Sequence, residues 1–285
     1  MDIKSFQSIV KTEKTAHSYL LKNCFGTKKK ITCPRCKNKK VYKLKKRYRC
    51  PICKYDFTEF TGRWFNKVHI SPVQWLWVIK LFELEISTRK ISKQLGISYP
   101  TALKATNLIR RCITAHTNNG NVDLLKGEVE ADEAYFGGRR KGKRGRGAAG
   151  KVPVFGILER KGVVNVEVVP DVSAKTLLDL TVKKVRRGSI VYTDKYKSYD
   201  SLMFCGYRHL QIDHKKYFSS GKVYINGVEG FWSFAKERFI KYHGVSKNNF
   251  SYYLKEMEFR YNNRYNDDIF EIVVSYLTNL VENRL

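Results

Sequence analysis

Acidic residues are scarce in this sequence. It contains 26 Asp and Glu against 55 Lys and Arg, which gives a formal net charge of +29 over 285 residues. A soluble surface needs far less net charge than this. Such an excess attracts polyanions, and the phosphate backbone of a nucleic acid is the usual one. We therefore expect nucleic acid, and DNA in particular, to be the partner of this chain, and we set aside a merely soluble basic protein.

Long hydrophobic runs are absent as well. No apolar run reaches eighteen residues, and residues 1–20 are polar and charged, unlike a signal peptide. A membrane surface, which is the rival partner for a basic chain, is therefore not expected. We expect the protein to act in the cytoplasm, associated with the nucleoid, or in the nucleus if the host is a eukaryote.

Cysteines are few and unevenly placed. Four of the 7 lie in two tight pairs, Cys33-Pro-Arg-Cys36 and Cys50-Pro-Ile-Cys53, with 13 residues between them. This pattern does not suit a disulfide scaffold and indicates a reducing compartment. Two such pairs can place four thiolates at the corners of a tetrahedron, which is the geometry that Zn²⁺ prefers. Because four thiolates leave no open position for a substrate, we predict one structural zinc ion in a zinc ribbon.

The stretch between the cysteine pairs is predicted to form two short strands within residues 39–49. It has too little core to fold without the metal, so zinc binding would supply folding free energy. Its many cations cannot all be buried, and we interpret them as a surface that contacts phosphate rather than as a solvated face. These cations are Lys43, Lys45, Lys46, Arg47 and Arg49.

Charge and composition divide the chain into four segments. Residues 1–62 hold the zinc ribbon and a basic N-terminal segment, with 17 Lys and Arg against 4 acids. Residues 63–121 are helical and end in a polar link at residues 117–121. Residues 122–266 alternate strands and helices, and residues 267–285 are predicted to form a closing helix.

The second segment is predicted to contain three helices, over residues 72–85, 88–95 and 99–111. Gly96 ends the second helix and Ser98 caps the third. A helix, a short turn with glycine and another helix form the layout of a helix-turn-helix, whose second helix enters the major groove of DNA. Any three-helix bundle could produce the same pattern. The residues expected to face DNA are Ser98, Tyr99, Thr101 and Lys104.

The third segment is predicted to be an α/β domain. The order is three strands, a helix, a strand, a helix, a strand and a helix, which is the order of an RNase H-like fold with a mixed five-stranded sheet. The predicted strands cover residues 127–136, 152–159, 163–169, 188–193 and 209–213. The predicted helices cover residues 173–185, a weak pattern at 195–204, and a stretch that begins near Val228.

Three acids in this segment are informative because acids are scarce. Asp132 lies within a strand, Asp194 ends an apolar strand, and Glu229 lies on a later helix. Together they would repel a phosphate substrate unless metal ions lay between them. Two Mg²⁺ ions (or Mn²⁺) roughly 3.5–4 Å apart would activate an attacking oxygen and stabilise the leaving one. Glu128 and Glu130 share the strand face of Asp132, and either could be an accessory ligand or point to solvent.

Three motifs carry a family resemblance. They are Glu130-Ala-Asp132-Glu-Ala-Tyr-Phe-Gly-Gly138, Tyr192-Thr-Asp194 and Asn226-Gly-Val-Glu229-Gly-Phe-Trp232-Ser-Phe-Ala-Lys236. With the cysteine pairs, they make the chain from Cys33 to about Arg264 resemble bacterial-type insertion-sequence transposases. Members of that family have an N-terminal zinc ribbon and a DDE catalytic domain. The spacings of 35 residues from Asp194 to Glu229 and seven more to Lys236 are similar to those of the family.

The resemblance implies that Asp132, Asp194 and Glu229 form the metal-binding triad. Lys236 would contact a DNA phosphate near the reacting strand, and Asn226 would help to position the site. The implied enzyme binds the terminal repeats of its element through the ribbon and the helix-turn-helix. It activates water to cut at the ends. The freed 3′-hydroxyl then attacks a phosphodiester of the target DNA and displaces a target 3′-oxygen, without a covalent protein–DNA intermediate. Because two ends need two active sites, a homodimer or larger synaptic complex is also implied.

A basic loop follows the first acid of the triad directly. Residues 137–151 contain seven Lys and Arg, six glycines and no acid. Such a loop cannot bury itself, and we interpret it as a clamp on transposon or target DNA rather than a solvated hairpin. The cations assigned to this clamp are Arg139, Arg140, Lys141, Lys143, Arg144 and Arg146.

Two other functions stay open. One is a non-catalytic, sequence-specific DNA-binding regulator derived from a transposase, although the presence of all three acids argues against it. The other is an RNase H-like nuclease that cuts DNA without strand transfer.

Overall fold

The computed structural model describes residues 1–26, 30–45, 47–119, 124–137, 151–194, 203, 205–212, 224–242, 244–266 and 268–280. The chain divides into two compact units. The first unit combines Met1–His116 with Asn266–Leu285, and the second comprises Thr117–Tyr265. Among the helices of these described residues, none is both long enough and apolar enough to cross a membrane.

The secondary structure follows the predicted order through most of the chain, with three helices that were not predicted. The helices are α1 (Ile3–Val10), α2 (Glu13–Phe25), α3 (Pro72–Glu83), α4 (Thr88–Leu95), α5 (Tyr99–Asn119), α6 (Ala174–Lys184), α7 (Asn226–Ile240), α8 (Lys247–Asn262) and α9 (Ile269–Thr278). A 3-10 turn covers Trp64–Lys67. The strands are β1 (Tyr42–Lys43), β2 (Tyr48–Arg49), β3 (Asp56–Phe57), β4 (Glu128–Phe136), β5 (Val152–Glu159), β6 (Val164–Val168), β7 (Ile190–Asp194) and β8 (Arg208–Ile212).

The cysteine-rich part of the first unit folds as a three-stranded antiparallel sheet in the order β1-β2-β3. The two predicted strands are present, and a third follows the second cysteine pair. Tyr48 and Phe57 lie opposite each other on β2 and β3, and their rings stack at 5.8 Å. These two rings form a small buried cluster with Cys33 and Cys50. The ribbon therefore has only a minimal apolar core, as its short length predicts.

The helices α3, α4 and α5 begin at or next to the predicted residues, and a serine caps each of them. Ser71, Ser87 and Ser98 each accept the backbone N–H three residues later, which satisfies a donor that the first helical turn leaves open. The third helix is longer than predicted, because its buried face continues through Cys112 and Ile113. Residues 117–119, predicted as part of a polar link, are consequently helical.

The first unit brings the two ends of the chain into one core. Phe6 of α1 packs edge-on against Trp77 of α3 and Phe270 of α9, with ring centroids 4.7 and 5.5 Å apart. The buried pair Lys80–Glu83 (2.5 Å) adds polar contacts, because Lys80 also donates to the Met1 carbonyl and Glu83 accepts the N–H of Phe270. Neither α1 nor α2 was predicted, and α9 packs against these helices.

The second unit is built on a mixed five-stranded sheet in the order β6-β5-β4-β7-β8. Strands β4, β5 and β6 are antiparallel neighbours, whereas β7 and β8 run parallel to β4. Helix α6 packs on one face through Leu177, and α7 and α8 cover the other through residues such as Phe231 and Leu254. This is the predicted RNase H-like architecture. The weak helix predicted over residues 195–204 lies, apart from residue 203, outside the described residues.

Helix α8 covers the edge strand β6 with polar side chains. The carboxylate of Glu258 accepts the Val166 N–H at 2.8 Å. The amide of Asn262 accepts the Val164 N–H at 2.8 Å and donates to the Val164 carbonyl at 2.9 Å. Backbone groups at a sheet edge otherwise attract other strands. This helix was missed in the sequence because several of its inward-facing residues are charged, including Lys255, which pairs with Glu258 at 2.8 Å.

The Asn262 contact gives a stability prediction. Asn262→Ala leaves the N–H and the carbonyl of the buried Val164 without their side-chain partner. Losing such partners costs about 1–3 kcal/mol, so urea unfolding of the full chain should show a loss in this range, with faster amide exchange in β6. The control is Asn263→Ala, because Asn263 donates within its own helix, to the Phe259 carbonyl. Equal losses for the two variants would contradict the edge role.

Candidate metal centres and active site

The four paired cysteines come together at one point of the ribbon. Their sulfur atoms all lie within 4.8 Å of one another, and the Cys33–Cys53 and Cys36–Cys50 pairs are 3.6 and 3.4 Å apart. Ligands about 2.3 Å from a tetrahedral zinc ion lie about 3.8 Å apart, so the cluster has the size of a Zn²⁺ site. Four sulfur donors are also the set that structural zinc takes. The cluster therefore fits the predicted structural zinc.

Two matching turns build this cluster. The N–H of Lys37 donates to the Cys33 carbonyl at 2.9 Å, and the N–H of Lys54 donates to the Cys50 carbonyl at 3.0 Å. Both lysines have positive φ angles, 60° and 57°. This conformation is unusual for residues other than glycine. The tight turns direct each cysteine pair toward the other.

The cations predicted to contact phosphate lie on the surface of the ribbon. Arg49 donates from Nε and Nη2 to the two carboxylate oxygens of Asp56, at 2.6 and 2.9 Å. Arg47 lies 3.2 Å from the same carboxylate. Asp56 thus offsets part of the charge of this face. The exposed cations are Lys43, Lys45, Arg47 and Arg49, whereas Lys46 lies outside the described residues.

The residues predicted to face DNA from the helix-turn-helix lie in the first turns of α5. Tyr99 is 46% exposed, and Lys104 is exposed too. The hydroxyls of Ser98 and Thr101 lie 2.8 Å apart, and Ser98 also accepts the Thr101 N–H at 3.3 Å. Ser98 therefore has the capping role that the sequence predicted. Contact of these four residues with DNA stays a prediction.

Asp132 and Asp194 lie side by side at the centre of the sheet of the second unit. Parallel strands β4 and β7 pair Glu130 with Tyr192, and each aspartate lies two residues further along its strand. Because side chains alternate between faces, both carboxylates lie on the face that α7 covers. Burial, helped by the charges of Glu133 and Asp194, raises the pKa of Asp132 to about 7. Negative charge is therefore crowded at this point.

Glu229 lies in the first turn of α7, and Glu130 fixes the start of that helix. The Val228 N–H donates to Oε2 of Glu130 at 3.0 Å. A carboxylate at this end also interacts favourably with the helix dipole. The approach is close, since a Cβ on Gly227 would lie 2.8 Å from Oε2. Glu130 is only 1% exposed, so it is a buried capping residue and does not point to solvent.

Arg160, in the turn between β5 and β6, binds two of the glutamates of β4, Glu128 and Glu130. Its guanidinium donates to Glu130 at 3.0 Å, to Glu128 at 2.6 Å and to the Tyr224 carbonyl at 2.7 Å. It lies between the rings of Tyr192 and Tyr224, 3.7 and 3.9 Å from their centroids. The sequence interpretation missed this residue, because Arg160 sits in a turn that reads as surface. The one feature of the sequence that could have indicated this role is the acid-rich strand β4, because buried acids need a cation as partner.

Helix α7 also contacts the first aspartate directly. The indole N–H of Trp232 donates to Oδ2 of Asp132 at 3.1 Å. Trp232 lies one turn after Glu229 and is 4% exposed. Asp132, Glu229 and Trp232 all lie within the sequence motifs described above. The hydrogen bond between Trp232 and Asp132 could not be predicted from those motifs.

The remaining predicted site residues either are exposed on α7 or lie outside the described residues. Asn226, Glu229 and Lys236 are exposed on α7. The structure thus places the two aspartates on neighbouring strands and presents Glu229 and Lys236 on the solvent side of α7, the helix that contacts Asp132. The cations of the predicted DNA clamp lie outside the described residues. They are Arg139, Arg140, Lys141, Lys143, Arg144 and Arg146.

The zinc ribbon and the α/β domain each match a known protein family. Residues 124–262 match the ISXO2-like transposase domain of the IS1595 type, and residues 11–56 match the transposase zinc-ribbon domain. An uncharacterized transposase-like protein of Haemophilus influenzae is 45% identical over 96 residues, which cover 34% of this chain and 78% of that protein. An uncharacterized protein in the transposable element ISH50 of Halobacterium salinarum is 27% identical over 257 residues, with coverage of 81% of this chain and 85% of that protein.

Solved structures of the Mos1 transposase are also similar, at a low level. The Mos1 strand transfer complex aligns with 73% of this chain and 79% of its own at 14% identity and a TM-score of 0.28. The family is assigned from the sequence matches. A transposase zinc ribbon precedes a transposase domain in this chain, and the Haemophilus relative is matched over most of its length. The chain therefore belongs to the IS1595 family of transposases, which carry an ISXO2-like transposase domain.

Proposed function

We propose that this protein binds the ends of its mobile element and catalyses metal-dependent cleavage of DNA strands and their transfer into target DNA. The observation that carries the proposal is the pair Asp132 and Asp194 on one face of two adjacent parallel strands. In a member of a transposase family, this pair would form the core of a polynucleotidyl-transfer site. Glu229, in the first turn of the helix tied to β4, completes the proposed triad.

The donor set of the proposed triad fits divalent cations. Three carboxylates offer the oxygen ligands that Mg²⁺ and Mn²⁺ take. Burial and then the neighbouring charges of Glu133 and Asp194 raise the pKa of Asp132, and a bound cation would offset this negative charge. Asp132, Asp194 and Glu229 would hold two of them. When bound, the two ions would supply activation of the attacking oxygen and stabilisation of the leaving one.

The other residues of the chain would bind and orient DNA. Lys236, exposed two turns after Glu229, can reach a phosphate as a point charge. The first turns of α5 present Tyr99 and Lys104 in the position of a recognition helix. The exposed cations of the zinc ribbon and the clamp of residues 137–151 would add phosphate contacts without base readout. Two ends need two active sites, so we expect a homodimer or larger complex on DNA.

The triad gives the test of this function. Asp194→Ala removes a ligand, and metal ions contribute several kcal/mol to such reactions. Nicking of DNA that carries the element ends, and joining of pre-cut ends to a plasmid, should both fall about 10³-fold or more. The control is Asp179→Ala, an exposed acid on α6, on the other face of the sheet.

The outcome also separates the alternative functions. Cutting of ends without joining by the unaltered chain would indicate a nuclease. End binding with neither reaction, in Mg²⁺ or in Mn²⁺, would indicate a DNA-binding regulator. Full activity of Asp194→Ala would rule out the proposed triad.

The cap on α7 gives a stability prediction. Glu130→Gln removes the buried charge that faces the partly buried guanidinium of Arg160, and breaking a buried ion pair costs about 3–5 kcal/mol. Urea unfolding should show a loss of that order. Glu128→Gln is the matched control, because Glu128 binds the same guanidinium but its side chain is 42% exposed. Its loss should stay below about 1 kcal/mol, and a larger loss than for Glu130→Gln would contradict the capping role.

The cysteine cluster predicts one tightly bound zinc ion per chain. Cys36→Ser or treatment with a chelator should release zinc, melt the ribbon and weaken binding to the element ends. Elemental analysis measures the zinc, and a gel-shift titration measures the binding. Cys205→Ser, a half-buried cysteine of the second unit, should retain both properties. A chain that keeps its end binding after complete loss of zinc would show that the ribbon is not used for this step.

A further inference from the structure

We propose that Trp232 is a positioning residue, whose indole N–H holds the Asp132 carboxylate in the orientation that presents its other oxygen to a divalent cation. The proposal rests on the function proposed above. It concerns a residue that is neither an acid nor a metal ligand, so it adds a group to the site rather than restating the triad.

The geometry of the contact is specific. The indole nitrogen lies 3.1 Å from Oδ2 of Asp132, and an indole has a single N–H that can only donate. The bond therefore occupies one oxygen of the carboxylate and restricts its rotation. The carboxylate has a second oxygen, Oδ1, which in this proposal would be the one presented to the cation. Partners of this kind fix the orientation of metal-binding carboxylates.

Strand β5 leaves the space for this ring. Gly156 is the residue paired with Asp132 in the sheet. A Cβ at Gly156 would lie 2.6 and 2.7 Å from Cζ2 and Cη2 of Trp232, so any other residue would displace the indole. Glycine weakens the interior of a strand. Its presence at this position allows the indole to lie directly over the strand pair that carries Asp132.

Aromatic packing holds the indole from the other sides. Phe136 and Phe231 lie edge-on to Trp232, with ring centroids 6.0 and 5.1 Å away. The ring is therefore wedged between β4, β5 and its own helix. Because Trp232 lies one turn after Glu229, the same contact ties the helix that carries Glu229 to the strand that carries Asp132. One side chain thus couples the positions of two proposed ligands.

The first experiment measures Mn²⁺ binding to the full chain, with the metal alone and without DNA. Trp232→Phe keeps an aromatic ring and removes the N–H. Loss of such a partner lowers metal affinity about 10–100-fold, and electron paramagnetic resonance of free Mn²⁺ measures this change. The control is Trp75→Phe, which removes an indole N–H bonded to the Val68 carbonyl in the first unit. That variant should bind Mn²⁺ like the unaltered chain.

The second experiment is spectroscopic and uses the unaltered chain. With ¹⁵N-labelled indoles, the N–H signal of Trp232 should shift as Mg²⁺ is added, because its acceptor then shares charge with the cation. The signals of the other three tryptophans, all in the first unit, should not move. The signal is assigned from Trp232→Phe. If that variant does not fold, Asp132→Asn assigns it, since that change alters the acceptor.

The outcomes separate this inference from the function on which it rests. Mn²⁺ binding that depends on Asp194 but is equally tight in Trp232→Phe would overturn the positioning role alone. So would an indole signal of Trp232 that stays unchanged at saturating Mg²⁺. An unaltered chain that binds no Mn²⁺ in a manner dependent on Asp132 and Asp194 would overturn the proposed metal site, and the inference with it.

Discussion

The carboxylate of Glu130 is bound from two sides, by the N–H of Val228 at the start of α7 and by the guanidinium of Arg160. It is almost fully buried. A charge in this position is stable only because both partners are present, since an isolated buried carboxylate is very costly. The position of α7 depends on this contact, and so does the position of Glu229 and Trp232 on that helix. The contact of Trp232 with Asp132 therefore also depends on where α7 begins.

The acids of the second unit are concentrated on one strand, although the chain as a whole is basic. Over the whole sequence, cations outnumber acids by about two to one, yet β4 alone carries Glu128, Glu130, Asp132 and Glu133. Arg160 compensates Glu128 and Glu130. The raised pKa of Asp132 reflects its burial first and then its acidic neighbours Glu133 and Asp194. A local negative site within a strongly basic protein suits the proposed function, because the cations would attract DNA while the acids hold metal.

The two units complete their packing with different kinds of contact. The first unit closes its core with helices from both ends of the chain, through Phe6 and Phe270. The second unit covers one open sheet edge with the side chains of Glu258 and Asn262. Among the described residues of the zinc ribbon, Tyr48 and Phe57 form a small buried aromatic pair beside the cysteine cluster, and a bound metal would add to the folding free energy of so small a core. The kind of contact in each part depends on how many apolar residues the local sequence contains.

The sequence by itself determined the features that local patterns encode. The spacing of the cysteine pairs predicted the cluster, and Ser87 and Ser98 predicted the starts of α4 and α5. Alternation predicted the strand that carries Asp132, and a short apolar run predicted the strand that Asp194 ends. Only the tertiary structure decided the roles of Glu130, Arg160 and Trp232, and the presence of α8. The bonds of Glu130 to Val228 and of Trp232 to Asp132 join residues 98 and 100 positions apart. Periodicity within one element carries no information on such contacts, because they depend on how separate elements pack.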